Sequence, residues 1–182
     1  MEYWPKCNKS VRCTLQWSYR CVCCIVVLPG GRLANGSRDR TIRLWTLDPM
    51  GTKRCTAILK DHSGIVYCLS VLSDGKTLAS GSEDKTIRLW SIDPLASNQC
   101  TVIIKGHTEA VRCLAVLPDG GLASGSEDTT IRLWEGSQCT TILSGHKDKV
   151  TYMITLPDGT LISGSTDMTI RAWWCKSHPQ VV

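Results

Sequence analysis

The 182-residue sequence contains no phenylalanine. A core of packed phenylalanines is therefore excluded, and most of the aromatic bulk rests on seven tryptophans. The longest apolar run, Cys21 to Leu28, is eight residues, far short of the roughly 20 that a membrane-spanning helix requires. The start, Met1-Glu2-Tyr3-Trp4-Pro5-Lys6, lacks the basic segment and apolar stretch of a secretory signal. No block of like charge occurs: 16 acidic residues are interleaved with 21 basic ones, leaving a net charge of +5 and a pI near 8.7. That balance describes a solvated surface and argues against nucleic acid or an anionic membrane as partner, since both call for a basic stripe. No helical periodicity is present, so the class is all-β. No Lys-Ser or Lys-Thr follows a glycine-rich run, which removes a phosphate-binding loop.

What is present is repetition. Ser80-Gly81-Ser82-Glu83-Asp84-Lys85-Thr86-Ile87-Arg88-Leu89-Trp90 recurs as Asn35 to Trp45, Ser124 to Trp134 and Ser163 to Trp173. A spacing of about 40 residues between copies marks a repeat architecture rather than one irregular core. Each copy is preceded by an apolar run and a turn: Pro29-Gly30-Gly31, Ser73-Asp74-Gly75-Lys76, Pro118-Asp119-Gly120-Gly121 and Pro157-Asp158-Gly159. Glycine between two apolar runs signals a hairpin whose turn needs left-handed backbone. A short strand, a tight polar turn and a strand ending in Trp follow. A fourth strand such as Cys100 to Ile104 closes the unit. The connections Thr46 to Arg54 and Ser91 to Gln99, with Asp48-Pro49 and Asp93-Pro94, are surface loops.

Most of the 11 cysteines follow the same period. Cys55, Cys100 and Cys139 each precede Thr. Cys24, Cys68 and Cys113 share another station. Residues at one station lie one repeat apart, beyond the 4.4–6.8 Å between α-carbons that a disulfide allows, so these are small hydrophobes kept reduced in an intracellular, cytoplasmic or nuclear compartment. Cys21-Val22-Cys23-Cys24, with Cys7 and Cys13 upstream, lacks a second pair at zinc spacing. No metal and no cofactor is expected.

Gly106-His107, Pro118-Asp119-Gly120 and Ser124 to Trp134, taken together, resemble the WD repeat, the four-stranded blade of a β-propeller. The resemblance covers roughly residues 13 to 174. It departs from the family where the Asp after Trp is replaced by Thr46, Ser91, Glu135 and Trp174, and where Trp17-Ser18 stands in place of a leading His. It implies a hydrogen-bonded tetrad per blade: His62, Ser80, Asp84 and Trp90; His107, Ser124, Asp128 and Trp134; His146, Ser163, Asp167 and Trp173. The first blade offers only Asn35, Asp39 and Trp45 and is expected to be the least stable. Recurrence of Ser, His and Asp at one spacing beside Trp is structural; a nucleophilic triad would occur once, beside an oxyanion hole. No enzyme is expected.

The repeats divide the chain at 13–54, 55–99, 100–138 and 139–174, with an irregular leader over 1–12 and a tail over 175–182. Family members most often have seven blades, so four repeats imply a propeller segment, an open arc being favoured over a closed ring. Cys13 to Gln16 reads as a strand belonging to a blade completed elsewhere. The family docks partners on the face carrying the tight turns. On this chain that face would present Arg38, Glu83, Glu127 and Thr166 from the turns, with Ile65, Tyr67, Ala110, Arg112, Lys149 and Thr151 from the approaches to the inner strands. The expected function is a non-catalytic scaffold for protein or peptide partners, with self-association or a chain completing the propeller as further partners. The alternative is an adaptor reading acidic or phosphorylated motifs through Arg38, Arg112 and Lys149 for a larger complex such as a ubiquitin ligase.

Overall fold

A computed structural model of the chain describes residues 21–47, 53–93 and 99–174. The leader 1–12, the strand Cys13 to Gln16, Trp17-Ser18, Asp48-Pro49, Pro94 and the tail 175–182 lie outside them. The described residues form four antiparallel sheets. The first contains β1 (Val22–Val27), β2 (Leu33–Ser37), β3 (Ile42–Leu47) and β4 (Lys53–Leu59). The second contains β5 (Val66–Val71), β6 (Thr77–Ser82), β7 (Ile87–Ser91) and β8 (Cys100–Ile104). The third contains β9 (Val111–Val116), β10 (Leu122–Ser126), β11 (Ile131–Glu135) and β12 (Gln138–Leu143). The fourth contains β13 (Val150–Thr155), β14 (Leu161–Ser165) and β15 (Ile170–Trp173).

Every sheet is a meander in chain order. The sheets are offset from the sequence repeats by one strand. The strand holding Cys55 pairs with β3, placing Cys55 opposite Trp45 in the first sheet, so the divisions at 54/55, 99/100 and 138/139 mark repeats and not blade edges.

Local chemistry sets the turns. Asp74 accepts hydrogen bonds from Lys76 N at 2.8 Å, Thr77 N at 2.9 Å and Thr77 Oγ1 at 2.6 Å, while Gly75 sits at φ +64°. Gly120 and Gly159 repeat that left-handed backbone at φ +89° and +86°. The tight turns contain a second left-handed position the sequence did not disclose, because it is not glycine: Arg40, Lys85, Thr129 and Met168 have φ between 65° and 70°. In each case the preceding Asp reaches over that residue to the Thr beyond it, as Asp84 Oδ1 does to Thr86 N at 3.0 Å and Thr86 Oγ1 at 2.6 Å.

The sheets pack face to face in series. Alternation along β7 puts Ile87 on one face and Trp90 on the other, and both are buried. Trp90 packs with Leu44, Leu59 and Val66 between the first two sheets, Ile87 with Ile104, Val111 and Leu122 between the second and third. Ile131, Leu133, Val150 and Leu161 join the third sheet to the fourth. Among the described residues no core cluster joins the fourth sheet to the first. The fold is an open four-blade arc, all-β, with β1, β5, β9 and β13 on its inner side. Among the described residues no helix is long and apolar enough to cross a membrane.

Candidate functional site

The tight turn of each blade abuts the chain entering its inner strand. Glu83 N donates to Ile65 O at 2.8 Å, Glu127 N to Ala110 O at 2.9 Å, Thr166 N to Lys149 O at 3.0 Å and Arg38 N to Cys21 O at 3.0 Å. The residues expected from sequence to form one face are therefore brought together around the inner strands.

A β-bulge aims the central ones. Pairing skips one residue between Val66 and Cys68, between Val22 and Cys24, between Val150 and Tyr152, and between the partners Val111 and Cys113. The skipped residues are Tyr67, Cys23, Thr151 and Arg112. A bulge turns its extra side chain out of the normal alternation, and here all four line one concavity of about 490 Å³ along the inner side of the arc. Cys23, at the same station as Tyr67, Arg112 and Thr151, was missed from sequence; aligning the stations across repeats would have found it.

The blades are electrostatically coupled at this face. The Arg112 guanidinium lies 4.0 Å over the Tyr67 ring, a cation–π stack spanning the second and third blades. Arg112 Nε is 2.6 Å from Glu127 Oε1, and Lys149 Nζ of the fourth blade donates to Glu127 Oε2 at 2.8 Å. Burial alone would raise the Glu127 carboxyl, yet Lys149 and Arg112 hold it below the usual range. Partial burial pushes the Tyr67 phenol up despite Arg112. Arg38, Glu83 and Thr166 are exposed, and Ile65, Tyr67, Arg112, Glu127, Lys149 and Thr151 are half-buried. Ala110 is buried and supports the face from beneath without offering surface.

Behind the face lie three tetrads. His62 Nδ1 is 2.7 Å from Asp84 Oδ2, His62 Nε2 is 2.7 Å from Ser80 Oγ, and Trp90 Nε1 donates to Ser80 Oγ at 2.8 Å. The same distances recur within 0.2 Å for His107, Asp128, Ser124 and Trp134 and for His146, Asp167, Ser163 and Trp173. The pattern assigns the proton to Nδ1: indole N–H to hydroxyl, hydroxyl to Nε2, Nδ1–H to carboxylate, with every member satisfied. Burial opposes ionisation of Asp84 and Asp128, but hydrogen bonds from the imidazole and the neighbouring Thr hold both far below the ordinary range. Asp167 is held low chiefly by Thr169.

The first blade is built differently. Trp45 Nε1 donates to Asn35 Oδ1 at 2.7 Å, and Asp39 is held by Thr41 and by Arg43 at 2.8 Å. Burial of Asp39 is overcome by these bonds, which lower its pKa to about 2. Asn35 Nδ2 is buried without a hydrogen-bond partner among the described residues. All described cysteines are free thiols. Burial raises Cys24 and Cys113 to about 12 and Cys68 well above its ordinary value, as befits three thiols packed between the blades. Among the described residues no cluster of His, Cys, Asp or Glu could hold a metal ion.

Serial antiparallel sheets of three or four strands, Trp–Ser–His–Asp tetrads and a bulged inner strand agree with a family model described as "WD domain, G-beta repeat", which matches residues 8–46, 53–91, 98–135 and 137–173. The chain belongs to the WD40 repeat family. WD40 domains are in general non-catalytic platforms for protein–protein interaction. Solved structures similar to this WD40 chain include the following two. One, of U3-55K, is 28% identical with a TM-score of 0.78 and covers 87% of this chain and 50% of its own. The other, of the RRP9 WD40 repeats, is 28% identical with a TM-score of 0.78 and covers 87% of this chain and 49% of its own. The chain thus spans about half the length of the structures it matches. No curated protein matches it.

Proposed function

We propose that the chain is a non-catalytic scaffold, in an intracellular compartment, whose tight-turn face binds a protein or peptide segment across the second, third and fourth blades. The supporting observation is the Tyr67–Arg112–Glu127–Lys149 array, in which bulged side chains from successive blades converge on one concavity. Tyr and Arg are the types that most often anchor interfaces, because each offers a large apolar body with a polar tip. Arg38, Glu83 and Thr166 rim that centre, and Ile65 and Thr151 lie beside it.

The test uses peptides selected from a random display library on the 182-residue chain. Tyr67→Ala or Arg112→Ala is expected to weaken the selected peptides at least tenfold, the scale of a residue worth about 1.4 kcal/mol or more. Lys76→Ala, on the opposite turns, is expected to leave them unchanged. Peptides insensitive to the first pair and sensitive to the second would overturn the assignment. The alternative, recognition of acidic or phosphorylated motifs, has weaker support because Glu127 pairs with both Arg112 and Lys149 and offsets one of their two positive charges. On that reading Glu127→Gln would tighten acidic peptides.

A further inference from the structure

The blades are quasi-equivalent, so each interior junction records what a free blade face is shaped to receive. At the junctions a glycine of the second strand meets a valine of the next blade. A Cβ placed on Gly36 would lie 2.7 Å from Val66 Cγ1, one on Gly81 2.7 Å from Val111 Cγ1, and one on Gly125 2.7 Å from Val150 Cγ1. Those three valines are fully buried. Gly164 holds the same station in the fourth blade, and there, among the described residues, the only atom within 4 Å of such a Cβ is Tyr152 Cβ at 3.8 Å. No other described residue fills the hollow over Gly164. Val22 holds the valine station in the first blade, is 37% exposed and, among the described residues, meets no glycine.

The flanking residues repeat the relation. Ile42, Ile87 and Ile131 are at most 1% exposed against the following blade, whereas Ile170 at the same station is 80% exposed, beside Tyr152 and Ile154. On the other side, Leu69, Leu114 and Met153 pack against the preceding blade, whereas Ile25 at that station is 55% exposed and Val27 beside it is exposed. The two free faces thus carry the two halves of the junction that the chain makes three times within itself.

We propose that a second copy of this chain occupies the free face of the fourth blade, its Val22 seated over Gly164, and that the contact is made twice about a two-fold axis to close a ring of eight blades. A head-to-tail contact closes when its rotation completes a circle, and eight blades lie within the range of known propellers. Closure covers both apolar faces, which an open arc leaves exposed to association.

The test is the mass of the purified 182-residue chain by light scattering on a sizing column, from micromolar to hundreds of micromolar concentration. A single species of twice 20.1 kDa is expected. Gly164→Val, which has room within its own chain, fills the hollow, and Val22→Asp puts a charge on the opposing knob; each is expected to give the 20.1 kDa species with an unchanged far-ultraviolet β-sheet spectrum. Should Gly164→Val fail to fold, Val22→Asp decides. A monomer at every concentration would overturn the proposal, leaving the faces to residues 1–20, to residues 175–182 or to blades of another protein. A dimer untouched by either variant, or a ladder of larger species, would also overturn it.

Discussion

Asp128→Ala removes the acceptor on which one tetrad depends. In the third blade the carboxylate receives His107 Nδ1–H at 2.7 Å, Thr130 Oγ1–H at 2.6 Å, Thr130 N–H at 3.0 Å and Thr108 N–H at 3.1 Å. Its side chain is 6% exposed and that of His107 is 1% exposed, so water does not readily replace the lost acceptor. A buried donor left without a partner costs about 1 to 3 kcal/mol, and hydrogen bonds to a charged group are at the upper end of the usual range. The truncation also leaves a small void. A loss of about 2 to 4 kcal/mol follows, which for a chain of this size is a fall in Tm of roughly 6 to 12 °C. Asp128→Asn, which retains one acceptor oxygen, should fall between wild type and Ala. Asp39→Ala in the first blade, where no described His depends on the carboxylate, should cost less than Asp128→Ala. Calorimetry of the four proteins at pH 7 is the assay. A Tm for Asp128→Ala within 1 °C of wild type would refute the view that the tetrad holds the blade together.

Three further outcomes are expected. The depressed carboxylates Asp84, Asp128 and Asp167 contribute stability above the ordinary aspartate value of 3.8, and it is lost as pH falls below that value; Tm should be flat from pH 7 to about 5 and drop steeply below about 4, and a Tm constant down to pH 3 would contradict this. Gly81→Ala would force a methyl against Val111 Cγ1 at 2.7 Å, an overpacking worth about 1 to 3 kcal/mol, so guanidinium titration should show an earlier midpoint with unchanged slope. Thr129 is β-branched at φ +68°, and Thr129→Asn should raise Tm by about 2 to 4 °C, since Asn tolerates left-handed backbone at about 1 kcal/mol less cost; a lower Tm would show that the turn needs the Thr side chain.

The tetrads were legible because their chemistry depends on residue type at fixed spacing, with Ser80 and Trp90 on adjacent strands and Asp84 in the tight turn that joins them. The Asp-Gly turns were legible for the same reason, since glycine reports its own backbone. The left-handed Lys85 and Thr129 were not, because the Asp side chain and not the residue itself stabilises that conformation. The replacement of His by Arg43 beside Asp39 was likewise hidden: Arg88, Arg132 and Arg171 occupy the same station in blades that have their histidine. Every residue of the array at the face was named from sequence. Its coupling was not, because Tyr67, Arg112, Glu127 and Lys149 meet only through the curvature of successive blades. Ala110, counted among the surface residues by its spacing from His107, proved buried because it lies under the Glu127 turn.

The central claim is that the tight-turn face is the working face of this WD40 arc, and hydrogen–deuterium exchange with and without a selected peptide tests it most directly. Slowed exchange confined to residues 63–67, 83–84, 108–112, 127 and 147–151 is the expected result. Slowing at the opposite turns, residues 73–76, 118–121 and 157–160, with the tight-turn face unchanged, would contradict it.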